Sequence, residues 1–464
     1  MEKTAVFADT ARWDTTRAGE SRIGREDPGS QLVYACVQEF SDWGVRFLRP
    51  NLESPQEFAR LIESGPCEAL VLFPFTYTKH IADGLAGIFK GRVPIIYGGQ
   101  HAGIGAMPAR TLAEGLADFV IAGRGDTSLP KLLRDLADGK KPESRIIRHH
   151  DDVPKDERYP LDRLPWPLRR ADLMHDITPK EPLPFIPPPT LEKNPTRCVL
   201  ITGSIGCSAR CDFCSTWMIS GSVLRRSPKN IVAEMEYLQK NFGPGLVYMF
   251  ADPLFNSDRE WVLELSREME KKGPFTSVCM ADFRLDREMV RAMKRGGFYW
   301  IMLGLEFASN DMRADRGKHI ADPVNAFRLC SEEGMITRAL FMVARKGMTY
   351  QELDAEKAAL EAMPIRADQL RVNFETPFDG IKMARNLRPE DIVLTDKRLW
   401  TTQFVVLRTE VPTESWEGIR QDMMGNYVWC GRQMEHYARQ IDLFPELEPV
   451  YTDFLEKQKP HSEK

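Results

Sequence analysis

At 464 residues the chain is long enough for two or three domains. Its 63 Lys and Arg against 67 Asp and Glu leave a formal net charge of −4, which offers no basic footprint and argues against nucleic acid as a partner. A composition of 42% hydrophobic and 28% charged residues, nine cysteines, no run of eighteen apolar residues and no signal peptide together lead us to expect a cytoplasmic protein with reduced thiols and no membrane span.

Residues 1–145 alternate short apolar runs with amphipathic segments. The runs are Ala5–Ala8, Val45–Leu48, Ala69–Phe73, Val93–Tyr97 and Phe119–Ala122; Ile81, Leu85, Ile88 and Phe89 show helical spacing between two of them. This pitch predicts βαβ units and a Rossmann-like parallel sheet of five strands. Such sheets bind ligands beyond the carboxyl ends of their strands. The loops there are Pro74–His80, Gly98–Gly103 and Gly123–Thr127, rich in Gly, His and aromatic residues. Gly98 and Gly99 would let the backbone approach a bulky ligand, and His80 and His101 are loop histidines that hold hydrogen bonds or bind a ligand.

Residues 146–197 read as a connector, with Leu161-Asp162-Arg163-Leu164-Pro165-Trp166-Pro167 followed by a proline-dense stretch at 182–189. The latter is too rich in proline for helix or central strand and predicts an extended, semi-rigid linker. Next, an apolar strand from Cys198 leads into Cys207-Ser208-Ala209-Arg210-Cys211-Asp212-Phe213-Cys214, a C-x₃-C-x₂-C triplet. A structural zinc site wants four protein ligands, and neither His nor a fourth Cys stands nearby. A 4Fe–4S cluster held by three thiolates instead leaves one iron open. Cys36, Cys67, Cys198, Cys279 and Cys330 sit in apolar contexts and read as small hydrophobes.

From 198 to 375 the βα rhythm continues through six strand segments at 198–204, 246–252, 276–282, 299–305, 336–343 and 368–375. One helix between them opens with Ser227 as N-cap and Pro228 in its first turn, and turns Ile231, Met235 and Leu238 toward the strands. Six units predict a partial (β/α)₆ barrel with its site at the carboxyl strand ends. Residues 376–464 are expected to be mostly helical: Trp416, Ile419, Met423, Tyr427, Cys430, Met434, Tyr437 and Ile441 fall on one helix face, read as packing.

The cysteine triplet after an apolar strand, with Phe213 before its third cysteine, resembles the signature of the radical S-adenosylmethionine (SAM) superfamily. Gly98-Gly99-Gln100-His101 resembles the Gly-Gly-x-His of the cobalamin-binding domain that precedes the barrel in one large class of that superfamily. Gly123-Arg124-Gly125-Asp126 stands where that class has Gly-Glu-Gly-Glu, and no D-x-H-x-x-G run is present. Residues 161–167 resemble its D-x-L-P-x-P lead-in, 376–380 its Thr-Pro-x-Pro-Gly, and Gly304-Leu305-Glu306 its G-x-E segment. The resemblance implies that Cys207, Cys211 and Cys214 hold a 4Fe–4S cluster and that SAM chelates the open iron. It further implies that Glu306, Arg284, Asp252 and Phe213 lie around SAM, and that Gly98, Gly99 and His101 lie around cobalamin bound without a histidine ligand. The implied activity is cobalamin-dependent methylation of an unactivated carbon or phosphorus in a small molecule, fed by an electron donor such as flavodoxin or ferredoxin. The alternative is a radical SAM enzyme whose first domain binds no corrin and which cyclises, rearranges or transfers a SAM-derived group.

Overall fold

The computed structural model describes residues 3–9, 28–48, 54–149, 156, 159–170, 175–177, 196–220, 222–243, 245–308, 322–363, 369–397, 400, 402, 405–420 and 423. The first sheet contains β1 (Thr4–Ala8), β2 (Gly44–Leu48), β3 (Ala69–Leu72), β4 (Ile95–Tyr97), β5 (Phe119–Ala122) and β6 (Ile146–Arg148) in the order β2-β1-β3-β4-β5-β6, all parallel. Helices cover both faces, which is why β1 and β3 read as unbroken apolar runs. The sheet has six strands where the sequence suggested five. The sixth, Ile146–Arg148, is an isoleucine pair between arginines, too short to register as a period, and it pairs with β5 inside the segment read as connector.

The second sheet is assembled from β7 (His175–Ile177), β8 (Thr196–Ile201), β11 (Val247–Phe250), β12 (Thr276–Ala281), β13 (Phe298–Glu306), β14 (Ile336–Val343) and β15 (Gln369–Phe374), with a two-residue ribbon of β9 (Ser204–Ile205) and β10 (Leu224–Arg225) beside it. Strands β8 and β11–β15 are parallel and form the open (β/α)₆ barrel expected from the sequence; β7 adds an antiparallel edge. The helix Pro228–Phe242 begins as expected: Ser227 Oγ accepts from Asn230 N, and Ile231, Met235 and Leu238 are buried against the strands. Such a cap stabilises a helix by about 1 kcal/mol. Trp416 and Met423 also pack into the barrel's outer core with Ile419 against it; Tyr427, Cys430, Met434, Tyr437 and Ile441 lie outside the described residues, as does the proline stretch at 182–189.

The described part of the connector is pinned to the barrel. Asp162 Oδ1 accepts from Ser227 N at 2.8 Å. Arg169 donates to the Leu200 carbonyl and to Glu234, which also pairs with Arg226, both ion pairs at 2.6 Å. Burial alone would raise the Glu234 carboxyl, but the two guanidiniums overcome it and hold it below the usual carboxylate range. The same connector bonds the first unit: Leu168 N donates to the Gln31 carbonyl.

Candidate functional site at the facing strand ends

The cysteine loop leaves the barrel directly above β8. Gly203 N and Ser204 Oγ donate to the two oxygens of Asp252, at 2.8 and 2.6 Å, and so tie the loop's stem to the end of β11. Asp252 is fully buried, and burial raises its carboxyl to about 6 against the pull of those hydrogen bonds. A β-carbon on Gly203 would lie 3.0 Å from Asp252 Oδ1, so the close approach depends on glycine. Asp252 was expected beside SAM; its two oxygens hold the loop that carries the cysteines.

Cys207, Cys211 and Cys214 lie outside any disulfide, Cys211 buried and the other two partly exposed. Backbone bonds set the loop: Cys214 N donates to the Cys211 carbonyl at 3.3 Å, Trp217 Nε1 to the same carbonyl at 3.1 Å, and Thr216 N to Cys214 Sγ at 3.5 Å. Among the described residues no three His, Cys, Asp or Glu side chains form a site for a single metal ion. Three cysteines within eight residues of one loop, Cys211 buried and Cys207 and Cys214 partly exposed, suit an iron–sulfur cluster by their ligand chemistry. Phe213 is partly buried between Cys211 and Cys214.

Two neighbouring strand ends hold non-glycine residues in left-handed backbone: Glu306 at φ 61° and Ala344 at φ 57°. The β13–β14 register slips between Gly304 and Glu306, and Phe307 N turns back to the Leu305 carbonyl at 2.7 Å. This conformation costs on the order of 1–3 kcal/mol per residue and clusters at binding sites. Glu306 therefore stands on a bulge at the mouth, partly exposed. Arg284 differs from its expected role as a carboxylate clamp. Its guanidinium donates to Asp282 through Nε at 2.8 Å and Nη2 at 2.6 Å, is half exposed, and lines a cleft with Asn256, Arg259 and Asp286. Sequence reasoning missed Asn256, whose side chain bonds the Asp282 carbonyl, its carboxylate and the Arg284 carbonyl, and so fixes the end of β12.

The strand-end loops of the first sheet face this mouth. A β-carbon on Gly123 (φ 86°) would lie 2.7 Å from the Ile219 carbonyl oxygen, just after the cysteine loop. One on Gly105 would lie 2.9 Å from the Gly380 carbonyl and 3.2 Å from Met218. Gly99 holds φ 78°, while a β-carbon on Gly98 would meet Phe73 and Ile121 at 3.4 and 3.7 Å. Those are ordinary van der Waals distances, so the sheet's packing does not itself demand glycine at 98. His101, 2% exposed, sits at the seam: Nδ1 shares a hydrogen bond with Thr76 Oγ1 at 3.2 Å and lies 4.0 Å from Asp379, whose carboxylate takes both bonds of Lys397. Burial lowers its imidazole to about 4, so it is neutral at neutral pH. Its Nε2 is enclosed without a hydrogen-bond partner among the described residues. His80 is exposed. In the altered turn, Arg124 Nε and Nη2 donate to Asp126 Oδ2 at 2.9 and 2.5 Å and Thr127 N to Oδ1, so the buried pair satisfies itself.

With the cysteine loop, the barrel and the facing sheet in place, comparison with known proteins is informative. Residues 201–358 match the Radical SAM superfamily. The chain carries a radical SAM domain. Over 421 residues the chain is 22% identical to hopanoid C-3 methylase of Methylococcus capsulatus, covering 85% of this chain and 74% of that one. Over 194 residues it is 27% identical to anaerobic magnesium-protoporphyrin IX monomethyl ester cyclase of Cereibacter sphaeroides, a match spanning 40% of this chain but only 31% of the cyclase. In fold it resembles the radical SAM methyltransferase TsrM of Kitasatospora setae, solved with cobalamin and a [4Fe-4S] cluster (TM-score 0.59, 14% identity, 82% of this chain and 77% of that one). It equally resembles the cobalamin-dependent SAM radical enzyme OxsB, solved with aqua-cobalamin and SAM (TM-score 0.59, 16% identity, 80% and 53%). The likeness in fold spans 82% of this chain for the first and 80% for the second.

Proposed function

We propose that the protein is a cobalamin-dependent radical SAM methyltransferase acting on an unactivated carbon or phosphorus of a small molecule. The observation that supports this reading most is the meeting of the two carboxyl faces: Gly123 and Gly105 of the first sheet abut Ile219, Met218 and Gly380 of the barrel. A ligand on the first face and one at the cysteine loop would then share a chamber, and methyl transfer would need no large motion. The methyltransferase fold neighbours and the hopanoid methylase relative agree with it.

In this reading Cys207, Cys211 and Cys214 bind a 4Fe–4S cluster as thiolates and leave one iron for SAM. When bound, the cluster supplies the electron that breaks a sulfur–carbon bond of SAM, and cobalamin supplies a carrier for the methyl group. Asp252 holds the loop's stem through Gly203 and Ser204. Glu306, aimed by its bulge, accepts from the ribose or amino group of SAM. Phe213 and Trp217 exclude water beside the cysteines, and His101, neutral and bonded to Thr76, would line the corrin site without serving as a ligand. An electron donor of the flavodoxin or ferredoxin kind and a cytoplasmic setting belong to the same proposal; among the described residues no helix is long and apolar enough to cross a membrane.

The test incubates the reduced enzyme with methyl-labelled SAM, cobalamin and candidate substrates. The reading predicts S-adenosylhomocysteine and 5′-deoxyadenosine in comparable amounts, with label in the product. Turnover without cobalamin and without S-adenosylhomocysteine would reject it.

A further inference from the structure

A cluster on the cysteine loop receives its electron from outside the chain, so the surface beside that loop matters in its own right. Arg210, between Cys207 and Cys211, is exposed. The segment after β15 is fastened next to it: Met383 N donates to the Asp212 carbonyl at 3.0 Å. Arg210 is two residues from Asp212, a chain span of at most about 7 Å. The segment then turns through a 3₁₀ helix, Met383–Asn386, with Lys382 at its N-cap. Arg385 N donates to the Lys382 carbonyl at 3.2 Å, and three residues per turn place side chains three apart over one another. Lys382 and Arg385 therefore share one side of the turn, and both are exposed.

Among the described residues none of these three side chains meets a carboxylate. The acidic groups nearby are engaged elsewhere: Asp379 takes Lys397, Asp391 takes Lys346, Glu390 pairs with Arg388, and Asp212 keeps Oδ1 buried. Exposed arginines at other strand ends and helix starts are paired, as Arg259, Arg284 and Arg287 show. Three unpaired cations close together repel one another and add nothing to folding. They make a local positive field on a chain whose net charge is −4. Such a field suits a negatively charged partner that has to approach at the cysteine loop and is repelled by the rest of the surface.

We propose that Arg210, Lys382 and Arg385 form the docking surface for an acidic one-electron carrier protein, the reductant of the cluster. One electron leaves the reduced carrier and enters the cluster on Cys207, Cys211 and Cys214; no bond or proton is exchanged. This rests on the cluster assignment made above and is independent of cobalamin and of methyl transfer.

The test uses the anaerobically reconstituted full chain, with a bacterial flavodoxin and a plant-type ferredoxin as probes. Calorimetry measures binding of each oxidised carrier, and stopped-flow absorbance follows cluster reduction by each reduced carrier, from about 20 to 300 mM salt. For at least one carrier, the triple variant Arg210→Gln/Lys382→Gln/Arg385→Gln should weaken binding and slow reduction by about tenfold or more at low salt, and flatten the salt dependence. Iron content, SAM affinity and reduction by dithionite should match the wild type. The control Lys90→Gln/Lys229→Gln/Lys240→Gln removes the same number of charges from exposed positions elsewhere and should behave as wild type. An equal slowing in the control would assign the effect to net charge and overturn the proposal. Wild-type rates in the triple variant with both carriers overturn it, as does a wild type that neither carrier binds or reduces. Loss of SAM or cobalamin affinity in the triple variant would place these cations on a cofactor and likewise reject the docking surface. If the triple variant fails to fold, the three single variants decide, each with about a twofold or greater slowing expected. A chain that takes up no cluster rejects the cluster assignment and this proposal together; a cluster that dithionite reduces, in a chain indifferent to the patch, rejects this inference alone.

Discussion

Asp252→Asn isolates how the cysteine loop is held. The carboxylate is fully buried, bonded by Gly203 N and Ser204 Oγ, and raised to about 6 from an ordinary value of 3.8. A carboxyl raised in the folded state contributes stability that is fully present below its unfolded pKa and lost as pH rises through the folded one. The window therefore runs from about pH 4 to just above 6, and the whole shift corresponds to about 3 kcal/mol. Between pH 5.5 and 7.5 the linkage relation leaves on the order of 1 kcal/mol to be lost. Asparagine keeps an acceptor for Gly203 N and can donate to Ser204 Oγ, so it should retain the loop while removing the titration. The assay is urea unfolding of wild type and variant at pH 5.5, 6.5 and 7.5. The wild type should lose on the order of 1 kcal/mol more than Asp252→Asn across that range. Superimposed pH profiles would refute the assignment of a buried, raised carboxyl at this stem.

Other outcomes follow from the same geometry. Replacing Cys207, Cys211 and Cys214 together by Ala should abolish iron and sulfide uptake and SAM cleavage, measured after anaerobic reconstitution; a full cluster in that variant would contradict the ligand set. Glu306→Gln should weaken SAM binding by about 1.5–3 kcal/mol with iron content intact, as read by equilibrium dialysis. Gly123→Ala places a β-carbon against the Ile219 carbonyl at left-handed φ, at a backbone cost of about 1–2 kcal/mol. It should lower cobalamin affinity while leaving cluster content unchanged, as followed by absorbance.

Features that repeat along the chain were legible in the sequence. Apolar runs at βα pitch gave the parallel strands, because a strand covered on both faces has no polar positions to break it. The Ser227-Pro228 pair marked a helix start for the same local reason. Short or edge elements escaped: β6 offers two isoleucines, and β7 pairs antiparallel without an apolar run of its own. Long-range polar pairs escaped as well. Nothing near Glu234 announces Arg169, 65 residues earlier, nor does Gln100 or Ala102 announce that His101 meets Asp379. Arg284 is the instructive case. A strand-end arginine looked available for a ligand, yet Asp282 two residues before it takes the guanidinium first. The cysteine spacing named its chemistry because three soft ligands within one loop have few other uses; Glu306 needed its backbone strain to stand out.

The central claim is that the two strand-end faces enclose one chamber for both cofactors. The direct measurement is the electron paramagnetic resonance spectrum of the reconstituted, reduced protein loaded with cob(II)alamin. The account predicts both signals, with the cluster's relaxation and line shape altered by the nearby cobalt spin and the cobalt signal free of nitrogen splitting from a histidine. A spectrum that is the simple sum of two isolated centres, or a protein that retains no cobalamin, would contradict it.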